Sequence, residues 1–147
     1  MKKIVLCTLA CWASFRIVAA EDQWMTDLPK AQAKAKAEKK LVFMDFTGSD
    51  WCPPCIELKK NVLSSPEFEK FAKENLVLVE VDFPTSKPQT EELKKANEAL
   101  SQKFKVEGFP TVVVLDGDGK QLSRGEGFVG KKPKEFIAKL EKLKNKS

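Results

Sequence analysis

The sequence predicts an α/β fold in which helices cover both faces of a central mixed β-sheet. Patterns typical of helices and strands follow one another in the order helix, strand, helix, strand, helix, strand, strand, helix. An early strand-helix-strand crossover favours parallel pairing, whereas a tight turn near the C-terminus favours an antiparallel hairpin before a closing helix. Both kinds of pairing in one domain predict a mixed sheet between two layers of helices.

The first predicted helix leads into a buried strand. Residues 41–46 are almost continuously apolar, which is typical of a strand covered on both faces, and Asp45 is the one acid inside that run. Residues 24–40 are predicted to form a helix with a solvated, lysine-rich side. The inward positions of this helix are predicted to be Leu28, Ala31, Ala35 and Ala37.

Two helical segments are predicted between the first and second strands. Residues 56–62 carry a partial apolar stripe, made of Ile56, Leu58 or Lys59, Val62 and Leu63. Ser65 and Pro66 then begin a new helix, because serine is a good N-cap and proline suits the first turn. Residues 76–81 form the second strand.

The second half of the chain is predicted to contain a helix, the hairpin and the closing helix. The turn at residues 116–119 (DGDG) joins strands at 112–115 and 120–124. Residues 89–104 form a helix with the core positions Leu93, Ala96, Leu100 and Phe104. Residues 133–144 form an amphipathic helix with the inward residues Phe136, Ile137, Leu140 and Leu143.

The first twenty residues have the layout of a secretory signal peptide. Lys2 and Lys3 precede an apolar stretch that is too short, and too closely followed by Arg16, for a convincing membrane span. We therefore expect a signal peptide over residues 1–20, cleavage near Ala20, and a periplasmic or secreted domain over residues 21–147. Lipidation at Cys11 is an alternative interpretation of the same segment.

Removal of this leader changes both the charge and the cysteine content. The whole chain has a net charge of +5, but without the leader 23 basic residues face 21 acids, a net +2, which gives no case for a nucleic-acid partner. Two of the four cysteines lie in the leader. Only Cys52 and Cys55 remain, in a compartment where disulfides form and persist.

This cysteine pair carries the chemistry. The strand, a Gly/Ser/Asp turn and then Trp51, Cys52, Pro53, Pro54 and Cys55 describe a chain that enters a helix at the cysteines. Free N–H groups at a helix N-terminus stabilise a thiolate, which is the reactive form of cysteine. Cysteines three residues apart can also close and reopen a small disulfide ring, as thiol–disulfide exchange requires.

Two alternatives for the cysteine pair remain open at this point. The pair is half of a zinc site in one of them, although the chain has no histidine and the mature domain has too few cysteines for four ligands. The pair is an inert structural disulfide in the other, although so short a loop removes little chain entropy. No residue set suggests a metal, nucleotide or flavin site, so no cofactor is expected.

These motifs resemble the thioredoxin superfamily over nearly the whole mature chain. The resemblance is carried by the apolar strand with Asp45, the WCPPC motif at residues 51–55, the Gly-Phe-Pro-Thr turn at residues 108–111, and the closing hairpin and helix. It implies a thioredoxin fold. Residues 46–52 are most similar to exported bacterial thioredoxin-like proteins, including soluble reducing domains that handle periplasmic disulfides.

The resemblance also implies roles for individual residues. Cys52 would be the exposed nucleophile and Cys55 the more buried resolving thiol, together forming the redox disulfide. Pro110 would follow a cis peptide bond and lie against the two sulfurs. The backbone of Phe109 would pair with an extended substrate segment. The substrate-binding residues that the resemblance implies are Trp51, Phe109, Pro110 and Thr111.

Asp45 corresponds to the buried acid that helps to deprotonate the resolving cysteine in this family. Burial should raise its pKa, so that it can accept a proton near neutral pH. Two departures bear on this role: the turn at residues 48–50 is one residue longer than usual, and Leu78 stands where many thioredoxins place a lysine near the acid. Asp45 is therefore expected to lack an ion-pair partner, and a solvent-facing Asp45 is the alternative.

The motif also bears on the direction of exchange. Strong oxidants of the family that this chain resembles often have a histidine between the cysteines, and this chain has none. The second intervening proline also removes an N–H near the nucleophile. Both features predict a less stabilised thiolate and therefore a more reducing protein. We therefore expect a monomeric protein-disulfide reductase that acts on exported proteins and receives electrons from a membrane protein. The alternatives are a disulfide oxidase or isomerase, or a non-catalytic binding module.

Overall fold

The computed structural model describes residues 23–126 and 132–146. The predicted signal peptide, its cleavage point near Ala20 and Cys11 lie outside the described residues. In the part of the chain that the structure describes, no helix is long and apolar enough to cross a membrane.

Strands and helices alternate along the described chain. The strands are β1 (Trp24–Met25), β2 (Leu41–Thr47), β3 (Leu76–Asp82), β4 (Thr111–Leu115) and β5 (Gln121–Glu126). The helices are α1 (Leu28–Glu38), α2 (Pro53–Leu58), α3 (Pro66–Asn75), α4 (Glu91–Lys103) and α5 (Pro133–Lys144), and a short π-helix (Lys59–Leu63) continues α2.

The five strands form one mixed sheet in the order β1-β3-β2-β4-β5. The pairs β1 with β3 and β3 with β2 are parallel, whereas β4 is antiparallel to both β2 and β5. Because β2 is central, all seven of its residues are buried. The predicted mixed sheet, with a parallel crossover, a C-terminal hairpin and a closing helix, is confirmed.

Helices on both faces of the sheet bury two apolar cores. On the face covered by the π-helix, α3 and α5, the ring of Phe43 contacts the rings of Phe68 and Phe136 at centroid distances of 5.6 and 5.9 Å. On the face covered by α1, Phe46 contacts Phe104 at 6.1 Å. Successive residues of β2 therefore serve opposite cores, as the alternation of side chains along a strand requires.

The predicted helix over residues 24–40 was wrong at its start. Trp24 and Met25 form a short strand because they pair in parallel with the middle of β3. The helix begins only after Asp27, whose carboxylate accepts a 3.0 Å hydrogen bond from the N–H of Lys30 and caps the first turn. Ala37 is exposed, contrary to the prediction, while the other three predicted inward residues of α1 are buried.

Two predicted core positions in other helices were also wrong. Ile56 is exposed because the buried side of its helix is formed by Cys55 and Leu58, and the wider π turn then places Val62 and Leu63 inward. In α4, Ala96 is exposed and the next residue, Asn97, is buried. The reason is polar: Asn97 Nδ2 donates a 2.9 Å hydrogen bond to the carbonyl of Asp82 at the end of β3.

Candidate active site

The two cysteines lie where β2 turns into α2. The N–H of Cys52 donates to the carbonyl of Gly48 at 2.9 Å, which closes the turn, and Cys52 then serves as the N-cap residue of α2. Pro53 and Pro54 occupy the first two helical positions and Cys55 the third. The sulfurs form a disulfide, with a distance of 5.3 Å between the two Cα atoms.

Both cysteines are buried in the closed disulfide. Cys52 is 4% exposed and Cys55 is 2% exposed. The expected contrast between an exposed nucleophile and a buried partner is therefore slight in the closed disulfide.

The Gly-Phe-Pro-Thr turn lies beside the cysteine turn because of strand register. Thr111, the first residue of β4, pairs with Phe46 near the end of β2, from which the cysteine turn departs. The hydroxyl of Thr111 donates a 2.7 Å hydrogen bond to the carbonyl of Gly108 and closes the turn. The peptide bond between Phe109 and Pro110 is cis, and Pro110 is buried.

Three aromatic side chains, Trp51, Phe83 and Phe109, form a surface at this edge that we call the aromatic rim. Phe109 contacts Trp51 edge-on, with ring centroids 5.9 Å apart, and contacts Phe83 at 5.2 Å. Trp51 is 45% exposed although it flanks the buried cysteines. The rim therefore offers apolar surface beside the disulfide, where a bound polypeptide can contact it.

The longer turn of this chain is anchored to the loop that follows β3. Ser49 donates from its N–H at 2.9 Å and from its hydroxyl at 2.5 Å to the carboxylate of Asp82. The carboxylate of Asp50 accepts hydrogen bonds from the N–H groups of Thr85, Ser86 and Lys87. These bonds, led by the one from Thr85, hold the pKa of Asp50 below its usual value.

Asp45 is buried in β2, on the same sheet face as Leu58 of α2, and is 2% exposed. The alternative of a solvent-facing Asp45 is therefore wrong. Its Oδ1 atom has no hydrogen-bond partner among the described residues. Burial is the largest effect and raises the pKa of Asp45 to about 7.

Asp45 forms no ion pair among the described residues, but a cation lies near enough to act on its pKa. Lys59 lowers the pKa of Asp45, against the raising effects of burial and of two nearby acids, Glu80 and Asp82. The lysine comes from the π-helix rather than from the strand position occupied by Leu78. Among the described residues, no group of three or more His, Cys, Asp or Glu side chains is arranged to hold a metal ion.

A family model for a thioredoxin-like domain matches residues 28–144, which include both cysteines, Asp45 and the cis proline. The chain belongs to the thioredoxin-like family. The predicted superfamily and the thioredoxin fold are thus confirmed.

Individual members of the family support a thiol:disulfide oxidoreductase. The disulfide bond reductase DsbH of Chlamydia pneumoniae is 40% identical over 132 residues, which cover 82% of this chain and 79% of that protein. The thiol:disulfide interchange protein DsbD of Cronobacter sakazakii is 32% identical over 105 residues. That match covers 70% of this chain and only 16% of the DsbD protein.

A solved structure described as the DsbH oxidoreductase has the same fold. It superimposes with a TM-score of 0.76 and 34% sequence identity, covering 99% of this chain and 95% of that one. Together with the named relatives and the closed cysteine pair, this likeness confirms the prediction of a thiol:disulfide oxidoreductase of the thioredoxin-like family.

Several residues at this thioredoxin-like site were missed by sequence reasoning. Phe83 lies just after the predicted strand at 76–81 and was assigned no role, and Lys59 was considered only as a member of an apolar stripe. Glu80 had a detectable signal, because it is the one charged residue within the predicted strand at 76–81. Asp50 had no such signal, since an acid in a turn is ordinary until the N–H donors that the loop after β3 supplies to its carboxylate are known.

Proposed function

We propose that the protein is an exported reductase of protein disulfides. The observation that favours reduction of the substrate over its oxidation is the N-cap position of Cys52 with Pro53 and Pro54 directly after it. Prolines have no N–H, so the first turn of α2 lacks two of the N–H donors that would stabilise a thiolate at Cys52. The N–H of Cys55 is the donor that remains in this turn. A less stabilised thiolate favours the disulfide form and makes the dithiol a stronger reductant.

The proposed reaction has two exchange steps. The Cys52 thiolate, whose proton has gone to solvent, attacks one sulfur of a substrate disulfide. The substrate S–S bond breaks, a mixed disulfide forms, and the first substrate sulfur leaves as a thiolate that takes a proton from solvent. Cys55 then loses its proton to Asp45, and its thiolate attacks the sulfur of Cys52 and breaks the mixed disulfide. The second substrate sulfur leaves as a thiolate and receives the proton held by Asp45. The substrate gains two electrons and two protons, and the protein ends with the Cys52–Cys55 disulfide that the structure shows.

The remaining site residues bind substrate in this proposal. Trp51 and Phe109 present apolar surface, and Pro110 and Thr111 hold the turn that flanks the disulfide. The pairing of β4 with β2 begins at Thr111, so the backbone of Phe109 lies just before the residues that pair within the sheet. An extended substrate segment can therefore pair with it, as a short added strand beside the mixed disulfide.

Export and partners complete the proposal. The signal-peptide pattern of residues 1–20 supports delivery to the periplasm or the exterior, and the substrates are disulfide-containing proteins of that compartment. The closed disulfide must be reduced again after each turnover, so we expect a membrane protein that passes electrons from the cytoplasm. The protein is expected to act as a monomer.

The experiment is to follow the reduction of a protein disulfide, such as that of insulin, by the purified protein with a thiol recharging system. Cys52→Ser should abolish turnover. Cys55→Ser should accumulate a mixed disulfide at Cys52, because the resolving thiol is missing. A binding module would instead lack turnover in the wild-type protein and keep its partner after Cys52→Ser.

A further inference from the structure

Lys59 is held between an aromatic ring and an acid on the sheet face that contains Asp45. Its Nζ atom lies 4.2 Å from the centroid of the Trp24 ring and 3.2 Å from Oε1 of Glu80. Cation–π attraction and the ion pair act on the same ammonium group, from β1 and β3 respectively. Two contacts therefore fix the position of a charge that is 41% exposed in its side chain.

Glu80 places this ion pair next to Asp45. The two acids are direct neighbours in the parallel register of β2 and β3. Side chains of paired residues in adjacent strands leave the same face of the sheet, about 5 Å apart at their backbones. The Lys59–Glu80 pair therefore lies at the partly exposed margin of the face on which Asp45 is buried.

We propose that Lys59 is a positioning residue for the exchange reaction: with Glu80 as its counter-charge, it sets how tightly Asp45 holds its proton. The effect on turnover rests on the proposed function, in which Asp45 receives the proton of Cys55. A protonated Asp45 cannot take that proton, so the resolving step needs the ionised form. The ion pair thereby controls, from the protein surface, the pH range of a buried step.

The charges around Asp45 come from two elements. The π-helix contributes Lys59, which favours the ionised carboxylate, and β3 contributes Glu80 and Asp82, which oppose it. On the other side of β2, the residue paired with Asp45 is Val112 of β4, which carries no charge. From α2, Cys55 does not titrate in the closed disulfide, and Glu57 is exposed.

The π-helix explains how a lysine reaches this position. The N–H of Ser64 donates to the carbonyl of Lys59 at 2.9 Å, a five-residue step that widens the turn. Within this turn Val62 and Leu63 are both buried, which ties the segment to the core and leaves Lys59 at its margin. Single π turns inside helices are frequent at functional sites.

The test is an NMR titration of the Asp45 carboxyl carbon in the oxidised protein, which needs no substrate. Lys59→Met should move the titration midpoint up by roughly 0.5 to 1 pH unit, because a partly screened positive charge is lost. Glu80→Gln should move it down, because a negative charge is lost and Lys59 is released from its pair. Lys59→Arg should keep the wild-type midpoint. The matched control is Lys60→Met, which removes an exposed charge from the same turn.

Opposite shifts for Lys59→Met and Glu80→Gln, with none for Lys60→Met, support the proposal. An Asp45 midpoint that is unchanged in both variants, or that moves equally in Lys60→Met, overturns it. Should Lys59→Met fail to fold, Lys59→Gln removes the same charge and should give the same upward shift, and an unchanged midpoint in that variant overturns the proposal.

A second measurement separates this proposal from the proposed function. The acidic limb of the pH–rate profile for protein-disulfide reduction should follow the Asp45 midpoint in each variant. If the Asp45 midpoints shift in the variants while the acidic limb of the pH–rate profile stays fixed, Lys59 is coupled to Asp45 but Asp45 is not the proton acceptor of the reaction.

Discussion

The indole Nε1 of Trp51 donates a 2.7 Å hydrogen bond to the backbone carbonyl of Phe83. This bond joins the cysteine turn to the end of β3, where the N–H of Phe83 donates in turn to the carbonyl of Thr47 at 2.9 Å. The aromatic rim is therefore one connected surface rather than three independent side chains. Its integrity should matter more for a polypeptide substrate than for a small disulfide, which contacts little beyond the sulfurs.

Gly48→Ala should damage the rim selectively. A Cβ atom at Gly48 would lie 2.5 Å from the ring of Trp51, so the indole must move. We expect kcat/KM for a protein disulfide to fall roughly tenfold, because misplaced binding groups cost catalysis, while a small aromatic disulfide is reduced nearly as well as before. Gly108→Ala is the matched control, since a Cβ there meets no atom within 4 Å. Equal behaviour of the two variants would refute this role of Gly48.

Asp50→Ala should loosen the loop after β3. The carboxylate accepts hydrogen bonds from three successive backbone N–H groups, of which that of Ser86 is shortest at 2.6 Å. Without it, we expect the amides of residues 85–87 to exchange with deuterium roughly tenfold faster, since local opening becomes easier. Glu57→Ala, which removes an exposed acid from α2, should leave that exchange unchanged. Unaltered protection in Asp50→Ala would show that the anchor is dispensable.

Asp45 should make the oxidised protein less stable as the pH rises. Its pKa is raised to about 7 in the folded state, from about 3.9 when unfolded, so the folded state holds a proton that the unfolded state has lost between these values. The contribution of Asp45 to the free energy of unfolding is greatest below about pH 4, decreases between about pH 4 and pH 7, and is constant above about pH 7. The total loss is on the order of 4 kcal/mol.

Asp45→Asn isolates this effect. The acids whose pKa values are lowered, such as Asp27 and Asp50, act in the opposite direction but equally in both proteins. Urea denaturation should therefore show Asp45→Asn gaining stability relative to the wild type between about pH 4 and pH 8. A difference that does not change with pH would mean that Asp45 is ionised throughout.

The parts of the fold that were predicted correctly are those specified by local sequence. The DGDG turn, the closing helix that begins at Pro133 and the serine cap at Ser65 each carry their signal within a few residues. The cysteine motif is equally local, because Pro53 and Pro54 suit the first turn of a helix and cannot lie further inside one.

The features that were missed depend on partners distant in the chain. Trp24 is in a strand only because β3 offers an edge, more than fifty residues later. Helical periodicity allows either Ala96 or Asn97 on the inner side of α4, and the apolar Ala96 is the natural choice from sequence. Asn97 is buried instead because it donates a hydrogen bond to the carbonyl of Asp82, which the sequence does not reveal. Lys59 likewise acquires a role only when Glu80 and Trp24 are brought beside it.

The measurement that tests the central claim most directly is the equilibrium reduction potential of the Cys52–Cys55 pair, titrated against a defined thiol buffer. The proposed reductase predicts a value near that of thioredoxin, about −270 mV, because the prolines leave the Cys52 thiolate with few donors. A value of about −120 to −180 mV would contradict the claim and assign the protein to the oxidases or isomerases.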